Sequence, residues 1–268
     1  MFMFYQRGAT LITILFVLLL VTVVGTFAVK QSIVGLGIAT NSQARNLMQQ
    51  TADAVFFALE QDNKDNAILQ KNLSSLGMLG MVKSDNFLTK ELVFCYRPKS
   101  QKTMFDLNKA SIVSWQETTD PSDNTKKITQ IKNDELGITG FCQYTSNDFS
   151  SGRDIMISQI AVKKSAVNSD VPFKFYPIGT DTSTVQLDNI QPVRVVVTTV
   201  IPSMVSGGNA WSSNTTEINK CFKNYTNEKS TEYTDTETVA DCFEKLGVPY
   251  SQQVMDYAVV SYATKQGS

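Results

Sequence analysis

The sequence predicts an α+β protein: a long N-terminal helix with a membrane-spanning first half, packed by its second half on an antiparallel β-sheet head. Three observations predict it. An uncharged apolar run lies near the N-terminus, a helical apolar period continues beyond it, and β-branched segments between turn formers fill the remainder. The composition narrows the function classes. The 268 residues include 24 Lys plus Arg, 25 Asp plus Glu and no histidine. Without histidine there is no Ser-His-Asp triad, Cys-His dyad or His-ligated zinc site. Near-neutral charge argues against nucleic acid as a partner, because sequence-independent binding needs a basic face.

Residues Ala9–Val29, ATLITILFVLLLVTVVGTFAV, carry no charge and are flanked by Arg7 and Lys30. A helix needs roughly 20 apolar residues to cross the hydrocarbon core, and this run is long enough. It is too long for the apolar stretch of a cleaved signal peptide and is followed by no small-residue cleavage site. A retained anchor is therefore expected, with Arg7 on the cytoplasmic side and the head outside. The pattern continues past Lys30. Ile33, Leu36, Thr40, Ala44, Leu47, Ala52, Val55 and Leu59 recur at steps of three to five, with polar residues such as Gln31, Asn41, Arg45 and Asp53 between them. One helix is expected through residue 61, weakened at Gly25, Gly35 and Gly37, since each glycine costs about 1 kcal/mol relative to alanine.

From Asp62 the texture becomes rich in Ser, Thr, Asn and Asp, and the head is expected to span 62–268. Candidate strands are Glu91–Arg97, Thr103–Leu107, Ser111–Gln116, Lys127–Ile131, Ile138–Tyr144, Asp154–Val162, Val171–Tyr176, Val193–Ile201 and Val254–Thr264. Val193–Ile201 is the most continuous apolar run and reads as a central strand. Thr234–Leu246 reads as a short helix capped by Thr234 and ended by Gly247. Thr118–Thr125 and Pro202–Thr216 read as loops, the second placing Trp211 as an interface candidate.

The four cysteines, Cys95, Cys142, Cys221 and Cys242, lie beyond the anchor, where an oxidising compartment favours disulfides. Of the three possible connectivities, the one made of two local bonds, Cys95–Cys142 and Cys221–Cys242, is expected. No Cys-x-x-Cys spacing exists, so no metal or other cofactor is expected. Asp120, Asp123 and Asn124 lack the order of a calcium loop and read as a solvated turn. Asp134 and Glu135 read as surface groups, and no catalytic residue is expected.

The stretch QRGATLITILFVLLLVTVVGTFAVKQS resembles the start of type IV prepilins, most closely the PilX-type minor pilins. The resemblance covers roughly the first 55 residues, the length of the helical pattern. It implies that residues 1–8 are a leader, that a prepilin peptidase cuts after Gly8, and that Ala9 becomes an N-methylated first residue. It also implies a pilin-like fold, residence in a bacterial inner membrane with the head in the periplasm, and transfer to a surface pilus, or fimbrium. Major pilins of this family have Glu at the fifth mature position; here that place holds Thr13. A carboxylate there neutralises a neighbour's buried terminal amine, and an unpaired buried charge is costly. A subunit with nothing above it needs no such carboxylate. Thr13 therefore points to a minor pilin that primes or caps the fibre at its tip. The implied partners are other minor and major pilins and a large tip adhesin, in a setting of pilus assembly, cell adhesion and twitching motility. The alternatives are a minor pseudopilin of a type II secretion system and a single-pass periplasmic protein of other function.

Overall fold

The computed structural model describes residues 9–138, 140–145, 147–165, 185–187, 191–204, 211–234, 236–259 and 262–264. Five helices are described: α1 (Ala9–Lys64), α2 (Asn66–Leu73), α3 (Met78–Val82), α4 (Trp211–Lys223) and α5 (Val239–Leu246). The strands are β1 (Lys90–Cys95), β2 (Ala110–Asp120), β3 (Asp123–Glu135), β4 (Ile157–Lys164), β5 (Val185–Leu187), β6 (Gln191–Val200), β7 (Tyr250–Val259) and β8 (Tyr262–Thr264). Residues 1–46 and 47–268 form separate compact units, so α1 contributes to both.

The apolar period builds α1 as one helix of 56 residues. It ends three residues beyond the expected Gln61, at Lys64, because Asp65 leaves the helical conformation to cap α2. Its carboxylate accepts the Ala67 N–H at 2.9 Å. Within residues 47–64, Ala52, Val55, Phe56 and Leu59 are buried. They pack on Leu92 and Phe94 of β1, Ala110 of β2, Ile160 and Val162 of β4, and Val193, Val195 and Val197 of β6. Burying each Val, Leu or Phe contributes about 1.5–3 kcal/mol, more than helix propensity supplies.

The head is a six-stranded antiparallel sheet in the order β3-β2-β1-β4-β6-β7. Strand alternation sends every second residue to the face opposite α1. There Cys95, Ile157 and Val200 meet Ile218 and Phe222 of α4 and Val239 and Phe243 of α5. The sheet is thus covered by helices on both faces. β6 lies inside the sheet between β4 and β7, as the run VRVVVTTVI predicts.

The fold corrects several expectations. Thr103–Leu107 and Ile138–Tyr144 are not strands. The Met104 N–H goes to the Asp62 carboxylate at 2.8 Å, and Asp106 caps a 3₁₀ turn over Leu107–Lys109. The Cys142 N–H goes to Gln159 Oε1 at 3.1 Å and the Gln143 N–H to Asp148 Oδ2 at 2.7 Å, so side chains replace the ladder. Thr118–Thr125 is not a loop but the end of a long β2–β3 hairpin, whose turn is fixed by the Ser122 N–H donating to Asp120 Oδ1 at 2.8 Å. Pro202–Thr216 is not one loop: Pro202–Met204 is a 3₁₀ turn and α4 begins at Trp211. Thr238, not Thr234, caps α5, in a reciprocal box with Asp241. The expected strand Val171–Tyr176 lies outside the described residues.

Candidate functional site

The candidate assembly element is the exposed part of α1. Gly8 lies outside the described residues, and Ala9 is the first residue of the helix. No acidic residue occupies the first turn, and the exposed Thr13 donates its hydroxyl to the Thr10 carbonyl at 2.9 Å. Thr22 and Thr26 do the same to Leu19 and Val23 at 2.8 Å each. These hydroxyls are satisfied on their own helix, which lets them enter a medium without water. The most apolar stretch of α1 reaches a mean hydropathy of 2.8 and is not buried among the described residues. Leu11, Leu15, Phe16, Leu18, Val24 and Phe27 are each at least 60% exposed. An apolar surface this continuous calls for a membrane or a partner. A Cβ at Gly25, Gly35 or Gly37 would meet nothing within 4 Å, so the chain itself gives these glycines no packing role.

The second candidate lies on the head face opposite α1. Disulfides join Cys95 to Cys142 and Cys221 to Cys242. Both belong to one buried cluster, and Gln159 of β4 links them. It accepts from the Cys142 N–H at 3.1 Å and donates Nε2 to the Phe222 carbonyl at 3.1 Å. Beside them Arg97 and Asp148 form a buried ion pair at 2.5 Å, with Arg97 Nη2 also donating to the Phe141 carbonyl at 3.3 Å.

The segment between Cys221 and Cys242 crosses the sheet as a strap. The buried Glu91 carboxylate of β1 accepts the Asn227 N–H on both oxygens, at 3.1 and 2.9 Å. It also accepts Asn227 Nδ2 at 3.0 Å and the Glu228 N–H at 3.3 Å. Asn227 Oδ1 accepts from Thr198 of β6 at 2.9 Å and from Gln252 of β7 at 3.3 Å. Trp115 of β2 donates its ring N–H to Thr226 Oγ1 at 2.9 Å. Glu228 pairs with Lys163 of β4 and with Arg194 of β6, the latter at 2.8 Å. Arg194 in turn binds Asp256 of β7 at 2.8 and 3.0 Å. The strap is therefore fastened to every strand from β2 to β7 in the sheet order.

These contacts set the electrostatics. Burial pushes the Glu91 carboxyl above the ordinary carboxylate value, against the pull of hydrogen bonds from the Asn227 main chain and side chain and of the Lys163 charge. Burial also acts upward on Glu228, but hydrogen bonds from Lys163 and Arg194 and their charges outweigh it and hold that carboxyl low. Asp256 and then Glu228 raise the Arg194 guanidinium further. No group of three potential ligands is placed to hold a metal ion among the described residues.

Sequence reasoning missed Glu91, Arg97 and Asp148. A signal was present for the first: in KELVFC, Glu91 occupies the same strand face as Val93 and Cys95, an inward position for a charge. No family model, curated protein or solved structure matches the chain. The functional reading therefore stands on the residues and their arrangement.

Proposed function

We propose that the chain is a minor pilin that primes or caps type IV pilus assembly at or near the fibre tip and helps present an adhesin there. One observation carries the reading: an exposed apolar helix, uncharged from Ala9 to Val29, runs unbroken to a residue stretch that packs on an antiparallel head. Such a stem is stable in a bilayer before assembly and against the stems of other pilins after it. The partners proposed are other minor and major pilins, a large adhesin, the inner membrane before assembly and the prepilin peptidase that cuts after Gly8. No reaction is assigned to the chain's own residues.

Thr13 supports the tip position. A carboxylate there would enter the stem bundle needing a partner's terminal amine, whereas the hydroxyl is already bonded at Thr10. The amine of Ala9 remains available to the carboxylate of the next subunit, which the positive end of the helix dipole also attracts.

Mass spectrometry of the mature protein tests the reading. Loss of residues 1–8 and one added methyl on Ala9 are expected, and Gly8→Ala should abolish both and keep the protein out of sheared surface fibres. An intact N-terminus on protein from the cell envelope would refute it. Deletion that abolishes enzyme secretion while leaving twitching motility intact would assign the subunit to a type II secretion system instead.

A further inference from the structure

Beneath the strap lies a cleft of about 360 Å³ that the fibre reading does not use. Its walls include Trp115, Glu91, Lys163, Arg194 and Glu228, with Thr231 on the strap side. We propose that this cleft is a saccharide-binding site. The inference does not depend on the fibre reading, because all of its residues belong to the head.

The wall chemistry selects the ligand class. Of the cations lining the cleft, Lys163 is bonded to Glu228, Arg194 to Glu228 and Asp256, and Lys229 lies 3.9 Å from Asp241. A phosphate would have to compete with these pairs and would lie beside the Glu91 and Glu228 carboxylates. An apolar ligand would strip water from the charged floor and return no hydrogen bond. A sugar ring meets both demands. Its hydroxyls donate to carboxylate oxygens and accept from ammonium and guanidinium groups, both of which keep unused hydrogen-bonding capacity when paired. Its C–H face carries slight positive charge and suits the negative face of an indole.

The site is also rigid before any ligand arrives. The Trp115 ring is half-buried and fixed by its N–H bond to Thr226, whose hydroxyl donates onward to the Glu228 carbonyl at 2.7 Å. Arg194 is held from two sides, and Glu91 is immobilised by three donors of the strap. Little conformational freedom is left to lose on binding. The volume falls at the lower end of the range for small-ligand sites, roughly 300–1,000 Å³, which suits a short saccharide.

The test uses the full-length protein in a sugar-free detergent. An immobilised panel of neutral, amino and acidic mono- and oligosaccharides is screened, and the best binder is titrated by tryptophan fluorescence in a Trp211→Phe background, where Trp115 is the only remaining tryptophan. Saturable binding that changes Trp115 emission is expected. For the variants, affinity is read as retention on the immobilised saccharide, which needs no tryptophan signal; Trp115→Leu should weaken it at least tenfold. Thr231→Trp, at an exposed residue of the cleft rim, should block the cleft and abolish binding with the circular dichroism unchanged. No binding across the panel overturns the proposal, and so does undiminished binding by the folded Thr231→Trp protein.

Discussion

Removing each disulfide in turn gives a quantitative check on how the head is held. The Cys95–Cys142 bond closes a separation of 47 residues and Cys221–Cys242 one of 21. On the chain-entropy model, a crosslink over n residues lowers the entropy of the unfolded chain by about 2.1 + 1.5R ln n in cal/mol/K. At 25 °C this gives about 3.3 kcal/mol for the shorter loop and about 4.0 kcal/mol for the longer. The difference of about 0.7 kcal/mol depends only on the ratio of loop lengths. Cys→Ala pairs would be unfolded in urea as full-length protein in micelles, following the head by circular dichroism. The strap has a second fastening in Glu91 and Asn227, so Cys221→Ala/Cys242→Ala should keep a folded head at neutral pH. Cys95→Ala/Cys142→Ala should lose more stability. A loss below about 1 kcal/mol for either pair, or the reverse order, would refute the assignment of these bonds to unfolded-state restraint.

Three further outcomes are expected. Because burial raises the Glu91 carboxyl, its share of stability is fully present below the unfolded value of 4.5 and is lost as pH rises through the folded value. Glu91→Gln should remove that part of the slope in a pH series of urea midpoints, and an unchanged slope would contradict it. Asp148→Ala should cost about 3–5 kcal/mol in the same urea assay, since it strands the buried Arg97 charge; a neutral effect would show that Arg97 finds another partner. Gly35→Ala and Gly37→Ala should each stabilise α1 by about 1 kcal/mol, read as added helicity on heating, because a Cβ there meets nothing.

Much of this architecture is readable from residues alone, for reasons that differ by element. The stem is legible because its signal is long: uncharged residues and then a helical apolar stripe, with no proline before Pro98. β1, β2, β4, β6 and β7 are legible because each is a β-branched run with turn formers at its ends. Two of the failures, at Thr103–Leu107 and Ile138–Tyr144, share a cause, which is satisfaction by side chains from elsewhere in the fold. ITGFCQY has strand composition, yet its N–H groups find Gln159 and Asp148, and a Cβ at Gly140 would meet the Ala110 backbone at 2.5 Å. WSSNTTEINKCFK looks like a polar loop because few apolar residues mark a stripe in it; Ile218, Cys221 and Phe222 are the buried ones among those described. The cleft was not legible at all, since β1, β2, β4, β6 and the strap contribute its walls from positions far apart in the chain.

The two faces of the sheet are held by different means, and this bears on mechanical load. On one side the stem residues Ala52, Val55, Phe56 and Leu59 grip the strands through greasy contacts that resist sliding only weakly. On the other, one disulfide ties β1 to Cys142, a second joins α4 to α5, and a ladder of polar fastenings binds the strap to the strands. A tug along the stem would therefore peel it from the head before the head unravels, leaving the strapped face intact under tension.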